Sequence, residues 1–380
     1  MNKSLDELRR RIKAGTLKKQ INAIVPEQCE TGWGKATWRE PLERTTRVVN
    51  VTGWDLCEIG YTLAGGFLRH ADWDYTTLSM GQSWIRERQW CGIDPGSNSH
   101  DREFAEDLID LADIVHLNGG HDWWFLDRLD LRGKRLLIHH HGGTYRRTWR
   151  RLEVLETRAG YGRLVSTPDL LMYARGGRFA PAEWLPHPVD LSELDRAIPR
   201  WEKPDGGPVD VLHAYTIKGN KGTDQFLSSC AEAQRMGARL RPGLIHYVSR
   251  RQSLWLISQA DIYFASFHNG PGMAALEAMA MGIPTLAGCS EAELGCQLRA
   301  LDVSRAEELP WLYVTPENCG RVLRELAADA DLRRHWGEKG RRYVEQWHSA
   351  PVVVEKLMGI YERTPECRGV VVGNAVVMGK

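Results

Sequence analysis

A carboxylate in an apolar helix, preceded by a glycine-rich loop, is the clearest chemical signal in this 380-residue chain. Residues 268–282 read H-N-G-P-G-M-A-A-L-E-A-M-A-M-G, and Glu277 is the one polar side chain of the predicted helix. A buried carboxylate is costly without a partner, so some group must hydrogen-bond to Glu277. The N–H groups that Gly270 and Gly272 leave at the helix start are typical of a phosphate site.

Two interpretations of this segment stay open. In the first, a nucleotide diphosphate binds here, with its phosphates on the loop and its ribose hydroxyls on Glu277. In the second, the helix belongs to the core and Glu277 pairs with a neighbouring arginine.

A second charged group lies in the glycine-rich loop at 213–224, where a predicted strand opens into a helix. Lys218 and Lys221 are three residues apart there, so both can reach one diphosphate. Two positive charges then supply the neutralisation that a divalent metal would otherwise provide. The alternative is a surface loop that happens to be basic.

Three adjacent histidines, His139, His140 and His141, precede a glycine pair. Neighbouring side chains of a strand point to opposite faces, so the three cannot converge on one ion, and we expect no metal site. The D-x-D sequence at 72–74 is interpreted as a turn. The eight cysteines are scattered without a C-x-x-C pair, which indicates reduced thiols.

Short apolar strands alternate with helices along the chain, which indicates parallel β-α units whose ligands sit beyond the carboxyl ends of the strands. The predicted strands lie at 48–51, 114–117, 136–138, 164–166, 209–212, 244–248, 262–265 and 285–287. The pattern predicts five segments, in the order that follows: a basic helical extension at 1–40, an N-terminal Rossmann-like domain at 41–190, a linker at 191–208, a C-terminal Rossmann-like domain at 209–350, and a helix and tail at 351–380.

Composition is ordinary for a soluble globular protein, with 42% hydrophobic and 26% charged residues and a formal net charge of +1. Nothing global indicates a nucleic-acid binder. No secretory signal and no membrane span is expected, so we predict a cytoplasmic protein. The basic helix in 1–40 is either a solvated surface helix or a basic amphipathic helix that contacts an anionic membrane or polymer.

The segment around Glu277 resembles the signature of retaining glycosyltransferases of family 4. In that family a Glu-x7-Glu pattern surrounds a Gly-x-Gly loop and ends in E-A-M-A-x-G-x-P. Glu277 matches the second Glu, which takes the nucleotide ribose, and Asn269 stands at the first, the donor-sugar contact. Lys221 matches a Lys-Gly that holds the donor phosphates, and Lys218 stands where the family has an Arg.

Two further positions follow from the same resemblance. His141 takes the place of the last His of an H-x-H-G stretch near the donor sugar. Gly60 belongs to a loop that relatives place over the diphosphate. The resemblance therefore implies two sets of site residues: catalytic Lys221, Lys218, His141 and Asn269, and nucleotide-binding Gly270, Gly272, Glu277 and Gly60.

The resemblance covers about residues 47–361 and implies the GT-B fold, with two doubly wound Rossmann-like domains facing across a cleft. It implies metal-independent transfer, with retention, from a nucleotide-diphospho-sugar, which is a donor substrate and not a cofactor. The acceptor stays open among a glycan, a lipid, a small molecule and a modified nucleic acid. Two alternatives are a sugar-nucleotide epimerase and a non-catalytic GT-B protein that binds nucleotide sugars or carbohydrate.

Overall fold

The computed structural model describes residues 46–53, 58–79, 99–119, 131–159, 162–174, 182–195 and 206–367. The predicted basic helix in 1–40 lies outside these residues, so its two interpretations stay predictions. In the part of the chain that is described, no helix combines the length and apolar character that a bilayer span needs.

The first sheet contains six strands among the described residues. Its strands are β1 (Arg47–Thr52), β2 (Asp74–Ser79), β3 (Ile114–Asn118), β4 (Arg135–His140), β5 (Gly162–Val165) and β6 (Glu183–Trp184), in the order β2-β1-β3-β4-β5-β6. Of these, β1, β3, β4 and β5 overlap the predicted positions. The pairs β1–β2, β1–β3 and β3–β4 are parallel. Three helices alternate with them: α1 (Ile59–His70), α2 (Ser99–Leu111) and α3 (Gly142–Ala159).

The second sheet is also parallel, with strand order β11-β10-β9-β7-β8. Its strands are β7 (Val209–Ala214), β8 (Leu240–Ile245), β9 (Ile262–Ser266), β10 (Thr285–Ala287) and β11 (Leu312–Tyr313). The helices are α4 (Leu191–Asp195), α5 (Thr223–Arg235), α6 (Arg250–Ser258), α7 (Met273–Ala280), α8 (Glu291–Ala300), α9 (Pro316–Ala328), α10 (Ala330–Trp347) and α11 (Ala350–Arg363). Strands such as β9 are buried along their whole length, as expected for parallel strands covered on both faces.

Strand β8 is the element that the sequence placed wrongly. The prediction was 244–248, whereas the strand runs from Leu240 to Ile245 and contains Pro242 and Gly243. Proline is tolerated because β8 is the edge strand of its sheet. A Cβ on Gly243 would lie 2.5 Å from Leu212 Cδ2, so glycine permits the close approach of β7.

The described residues form two compact units. The described residues of 46–140, 151–164 and 357–367 form the first unit, and 141–150 and 165–356 form the second. Within the second unit, the Val189 N–H donates to the His348 carbonyl at 2.7 Å, which ties the segment after β6 to the end of α10. The predicted linker at 191–208 begins with helix α4.

Candidate functional site

Two loops predicted separately meet at the carboxyl ends of two neighbouring strands. The 3₁₀ helix Lys218–Lys221 follows β7, and the glycine-rich loop before α7 follows β9, which pairs with β7. The Phe267 N–H donates to the Lys221 carbonyl at 3.2 Å and joins the two loops. The lysine loop and the loop before α7 therefore lie side by side.

The loop before α7 adopts a conformation that glycine and asparagine favour. Asn269 and Gly270 are consecutive left-handed residues, with φ of 67° and 74°. A Cβ on Gly270 would overlap the Gln297 side chain, which would have to shift to make room for it. The Gly270 N–H donates to the Gly288 carbonyl at 3.0 Å, so the amide expected to face a phosphate is already engaged.

The N-terminus of α7 keeps the donors that the sequence predicted. Gly272 is the N-cap residue, and no side chain caps the helix. The N–H groups of Gly272, Met273 and Ala274 donate no hydrogen bond to any described residue. Such groups, with the helix dipole behind them, favour an anion.

The two lysines differ in their surroundings. Lys221 is half-buried, and its Nζ donates to the Ala214 carbonyl at 2.8 Å. Lys218 is exposed, and its Nζ lies 2.6 Å from Asp224 Oδ1, which raises the pKa of Lys218. Lys221 is therefore the better-positioned of the two, since Lys218 must leave Asp224 to reach a diphosphate.

Glu277 has an arginine partner. Arg250 Nη2 donates to Glu277 Oε1 at 2.9 Å, and Arg250 Nη1 lies 3.4 Å from Glu193 Oε1. Arg250 is the first residue of α6, which Ser249 caps in a capping box with Gln252. The sequence indicated that Glu277 needs a partner but could not identify Arg250, because the two come together only through tertiary packing.

A buried histidine supports the lysine loop from the end of β7. His213 Nδ1–H donates to the Phe264 carbonyl at 3.0 Å, and His213 Nε2 lies 3.0 Å from Thr223 Oγ1. Thr223 Oγ1 in turn lies 3.0 Å from the Lys218 carbonyl. Burial lowers the pKa of His213 to about 4, so the ring is neutral at pH 7.

The histidine run ends β4 and does not converge. His139 stacks on His116 with ring centroids 5.4 Å apart, His140 is buried, and His141 stacks on His187 at 5.6 Å. Across the described residues, no group of three or more His, Cys, Asp or Glu side chains is arranged to hold a metal.

The predicted site residues divide between the two units. Gly60 lies in the first turn of α1, in the first unit, where its carbonyl accepts a hydrogen bond from Thr77 Oγ1 at 2.9 Å. The other predicted residues lie in the second unit: His141, Lys218, Lys221, Asn269, Gly270, Gly272 and Glu277.

An aromatic cluster that the sequence did not reveal follows β7 and β8. Tyr215 stacks on His246 at 4.3 Å, and His246 contacts Tyr247 at 3.8 Å. Tyr247 is 73% exposed and has a left-handed φ of 53°. Its members come from the ends of different strands, so no local pattern marks them.

Comparison with known proteins identifies the fold. No protein-family model matches the chain, and no curated protein matches its sequence. An α-glucosyltransferase solved with UDP-glucose and DNA containing an abasic site is similar at a TM-score of 0.61 and 10% identity, covering 84% of this chain and 100% of that one. The trehalose-6-phosphate synthase OtsA is similar at 0.54 and 11%, covering 84% and 99%. The N-terminal domain of Candida albicans trehalose-6-phosphate phosphatase is similar at 0.54 and 10%, covering 85% and 98%.

The chain has the GT-B fold. The predicted fold class is therefore confirmed. At this low sequence identity, structural similarity to these proteins establishes only the fold. Membership of family 4 and the retaining mechanism therefore stay predictions.

Proposed function

We propose that this GT-B chain is a glycosyltransferase that moves a sugar from a nucleotide-diphospho-sugar to an acceptor. The observation that carries the proposal is the hydrogen bond from the Phe267 N–H to the Lys221 carbonyl. This hydrogen bond joins the loop of the half-buried Lys221 to the loop that precedes the N–H groups at the start of α7. Both loops lie at the same edge of a parallel sheet. Two of the similar structures are named as an α-glucosyltransferase with UDP-glucose and a trehalose-6-phosphate synthase, which supports a nucleotide-sugar donor.

The proposed chemistry proceeds with retention and without a metal. The bond between the anomeric carbon and the diphosphate oxygen breaks, and the acceptor oxygen bonds to that carbon on the same face. The acceptor proton goes to the departing diphosphate oxygen, so no protein nucleophile is needed. Lys221 and the α7 N–H groups stabilise the negative charge that grows on the diphosphate.

The nucleoside is proposed to lie along the second sheet. An ionised carboxylate has about four acceptor sites, so Glu277 can accept from Arg250 and from ribose hydroxyls together. The aromatic cluster of Tyr215, His246 and Tyr247 offers faces on which a base can stack. The acceptor is proposed among a glycan, a lipid, a small molecule and a modified nucleic acid.

The test combines binding and turnover in the presence of EDTA. A panel of UDP-, GDP- and ADP-linked hexoses is titrated by calorimetry, and slow release of nucleoside diphosphate is followed for each. We expect at least one donor to bind and to be hydrolysed, with EDTA having no effect. Loss of activity in EDTA that magnesium restores would contradict the metal-independent mechanism, and absence of all binding would contradict the function.

A non-catalytic nucleotide-sugar binder is the second candidate, and two observations favour it. Lys218 is engaged by Asp224, and Asn269 carries no charge where the resembling family has a Glu. Binding without turnover in the presence of candidate acceptors would identify such a binder. An epimerase would instead change the sugar without releasing the nucleoside diphosphate.

A further inference from the structure

A small cavity in the second unit adjoins the loop before α7. It lies against the 3₁₀ helix Pro168–Met172 and α8, and its volume is about 20 Å³. Asp169, His187, Asn269 and Gln297 are among the side chains that line it. A volume of this size holds one water molecule or one hydroxyl group.

Five buried polar atoms of this cavity make no hydrogen bond of normal geometry with any described residue: Thr167 Oγ1, Asp169 Oδ1, Trp184 Nε1, His187 Nδ1 and Trp311 Nε1. The last four belong to residues that are more than nine-tenths buried. Buried polar atoms are nearly always satisfied in folded proteins, by the protein itself, by water or by a ligand. Two indole donors and one carboxylate acceptor around one small space therefore point to a group that both donates and accepts.

Asp169 is held so that one oxygen is left for such a group. Arg146 donates to Asp169 Oδ2 through both Nε and Nη2, which fixes the carboxylate from one side. Arg146 belongs to the basic and aromatic start of α3, and Tyr145 beside it is fully buried. Burial raises the pKa of Asp169 above its ordinary value, and Arg146 and the Thr167 hydroxyl offset only part of that rise.

We propose that Asp169 is a sugar-contacting residue, whose Oδ1 accepts a hydrogen bond from one hydroxyl of the transferred sugar. This inference rests on the proposed function. A hydroxyl has one donor and two acceptor sites, so the same group also accepts from an indole N–H of Trp184 or Trp311. Asn269, which belongs to the loop before α7, lines the same cavity, so Asp169 adjoins the loop where the donor diphosphate is proposed to bind.

The proposed hydrogen bond from the sugar hydroxyl to Asp169 Oδ1 makes Asp169 a determinant of donor specificity. A site built to hydrogen-bond a substrate hydroxyl rejects the analogue that lacks it, because the buried polar groups are then left unpaired. His141 stacks on His187, whose ring lines the cavity, so this predicted donor-sugar residue lies one side chain away.

The test compares Asp169→Asn with Asp210→Asn. Asp210 is a matched control, since it is also a buried aspartate paired with an arginine, but Arg241 engages both of its oxygens, at 2.5 and 2.8 Å. The probes are the hexose conjugate from the panel that the wild type binds best and its nucleoside diphosphate. Asp169→Asn should weaken binding of the conjugate by about tenfold to a hundredfold and leave nucleoside diphosphate affinity within about twofold. Asp210→Asn should change neither the affinity for the conjugate nor the affinity for the nucleoside diphosphate.

Monodeoxy analogues of the same conjugate test the wild type directly, and so cover the case in which Asp169→Asn does not fold. One analogue should bind about tenfold or more weakly than its parent, and the others should not. No loss in any analogue, or equal losses for conjugate and nucleoside diphosphate in Asp169→Asn, would overturn the inference and assign the cavity to a buried water. If the wild type binds no conjugate, the proposed function fails and the inference with it. If it binds one and Asp169→Asn binds it equally well, only the inference fails.

Discussion

Arg250 donates to Glu277 at 2.9 Å; the Glu277 side chain is buried at 6% exposure, and that of Arg250 is partly buried at 13%. This is the arginine that the core interpretation of Glu277 required. It does not displace the nucleotide interpretation, because an ionised carboxylate has about four acceptor sites and can accept from an arginine and from ribose hydroxyls together. The pair does make Glu277 structural as well, since removing one partner of a buried ion pair typically costs about 3–5 kcal/mol of stability.

Glu277→Gln should therefore lower both nucleoside diphosphate affinity and the melting temperature. Hydrogen bonds to a charged group contribute roughly 1.5–3 kcal/mol, so affinity should fall by about tenfold or more. Glu193→Gln is the control, because Glu193 is the other carboxylate beside Arg250 but lies outside the proposed site. Calorimetry and a thermal melt of each variant decide the point. A lower melting temperature with unchanged affinity would return Glu277 to a purely structural role.

Lys221→Ala should nearly abolish transfer while the fold stays intact. Loss of a charge that stabilises the departing diphosphate raises the barrier by about 3 kcal/mol, which is more than a hundredfold in rate. Lys218→Ala should cost less, since Lys218 is exposed and already paired with Asp224. Steady-state kinetics on the best donor measure both. Turnover of Lys221→Ala within threefold of wild type would remove Lys221 from the mechanism.

Gly270→Ala should disrupt the loop before α7, and Gly272→Ala should not. At Gly270 the new Cβ meets the Gln297 side chain, and the left-handed φ of 74° adds about 1–2 kcal/mol of backbone strain. At Gly272 nothing lies within 4 Å of a Cβ. Thermal melts should show a lower melting temperature, and nucleoside diphosphate titrations a weaker affinity, in Gly270→Ala alone. Equal behaviour of the two variants would mean that the loop conformation does not matter for binding.

The sequence predicted well those strands whose position along the chain is determined by the local pattern of apolar residues. Strand β10 was predicted at 285–287 and lies there, because a parallel strand covered on both faces is a continuous apolar run. Strand β8 was misplaced because Pro242 and Gly243 have poor strand propensity, and only its edge position and the approach of β7 permit them.

The side chains that complete the site escaped prediction for a different reason. Asp169 follows β5 and Arg250 begins α6, far in sequence from the loop and helix that they adjoin. The sequence pattern shows that a buried carboxylate needs a hydrogen-bonding partner, but tertiary packing determines which residue is that partner.

Stability should fall between pH 6.5 and 4 because several histidines are buried in neutral form. Burial lowers the pKa of His213 and His187 to about 4 and that of His116 and His348 to about 3. Below the ordinary histidine pKa of about 6.5 the unfolded chain binds protons that the folded chain does not. The stabilisation is therefore fully present above pH 6.5 and is lost as the pH falls towards the folded pKa.

His213→Gln isolates one of these groups. From pH 7.5 to pH 5.5, His213 should account for about 1.4 kcal/mol of the loss in unfolding free energy, since the unfolded imidazole protonates and the buried ring does not. Urea unfolding at both pH values measures this, and the loss should be smaller in His213→Gln by that amount. His335→Gln, at an exposed position on α10, is the control substitution. If His213→Gln loses as much stability as the wild type, the ring must take up its proton in the folded state, and the hydrogen bonds through Phe264 and Thr223 would then be those of an imidazolium.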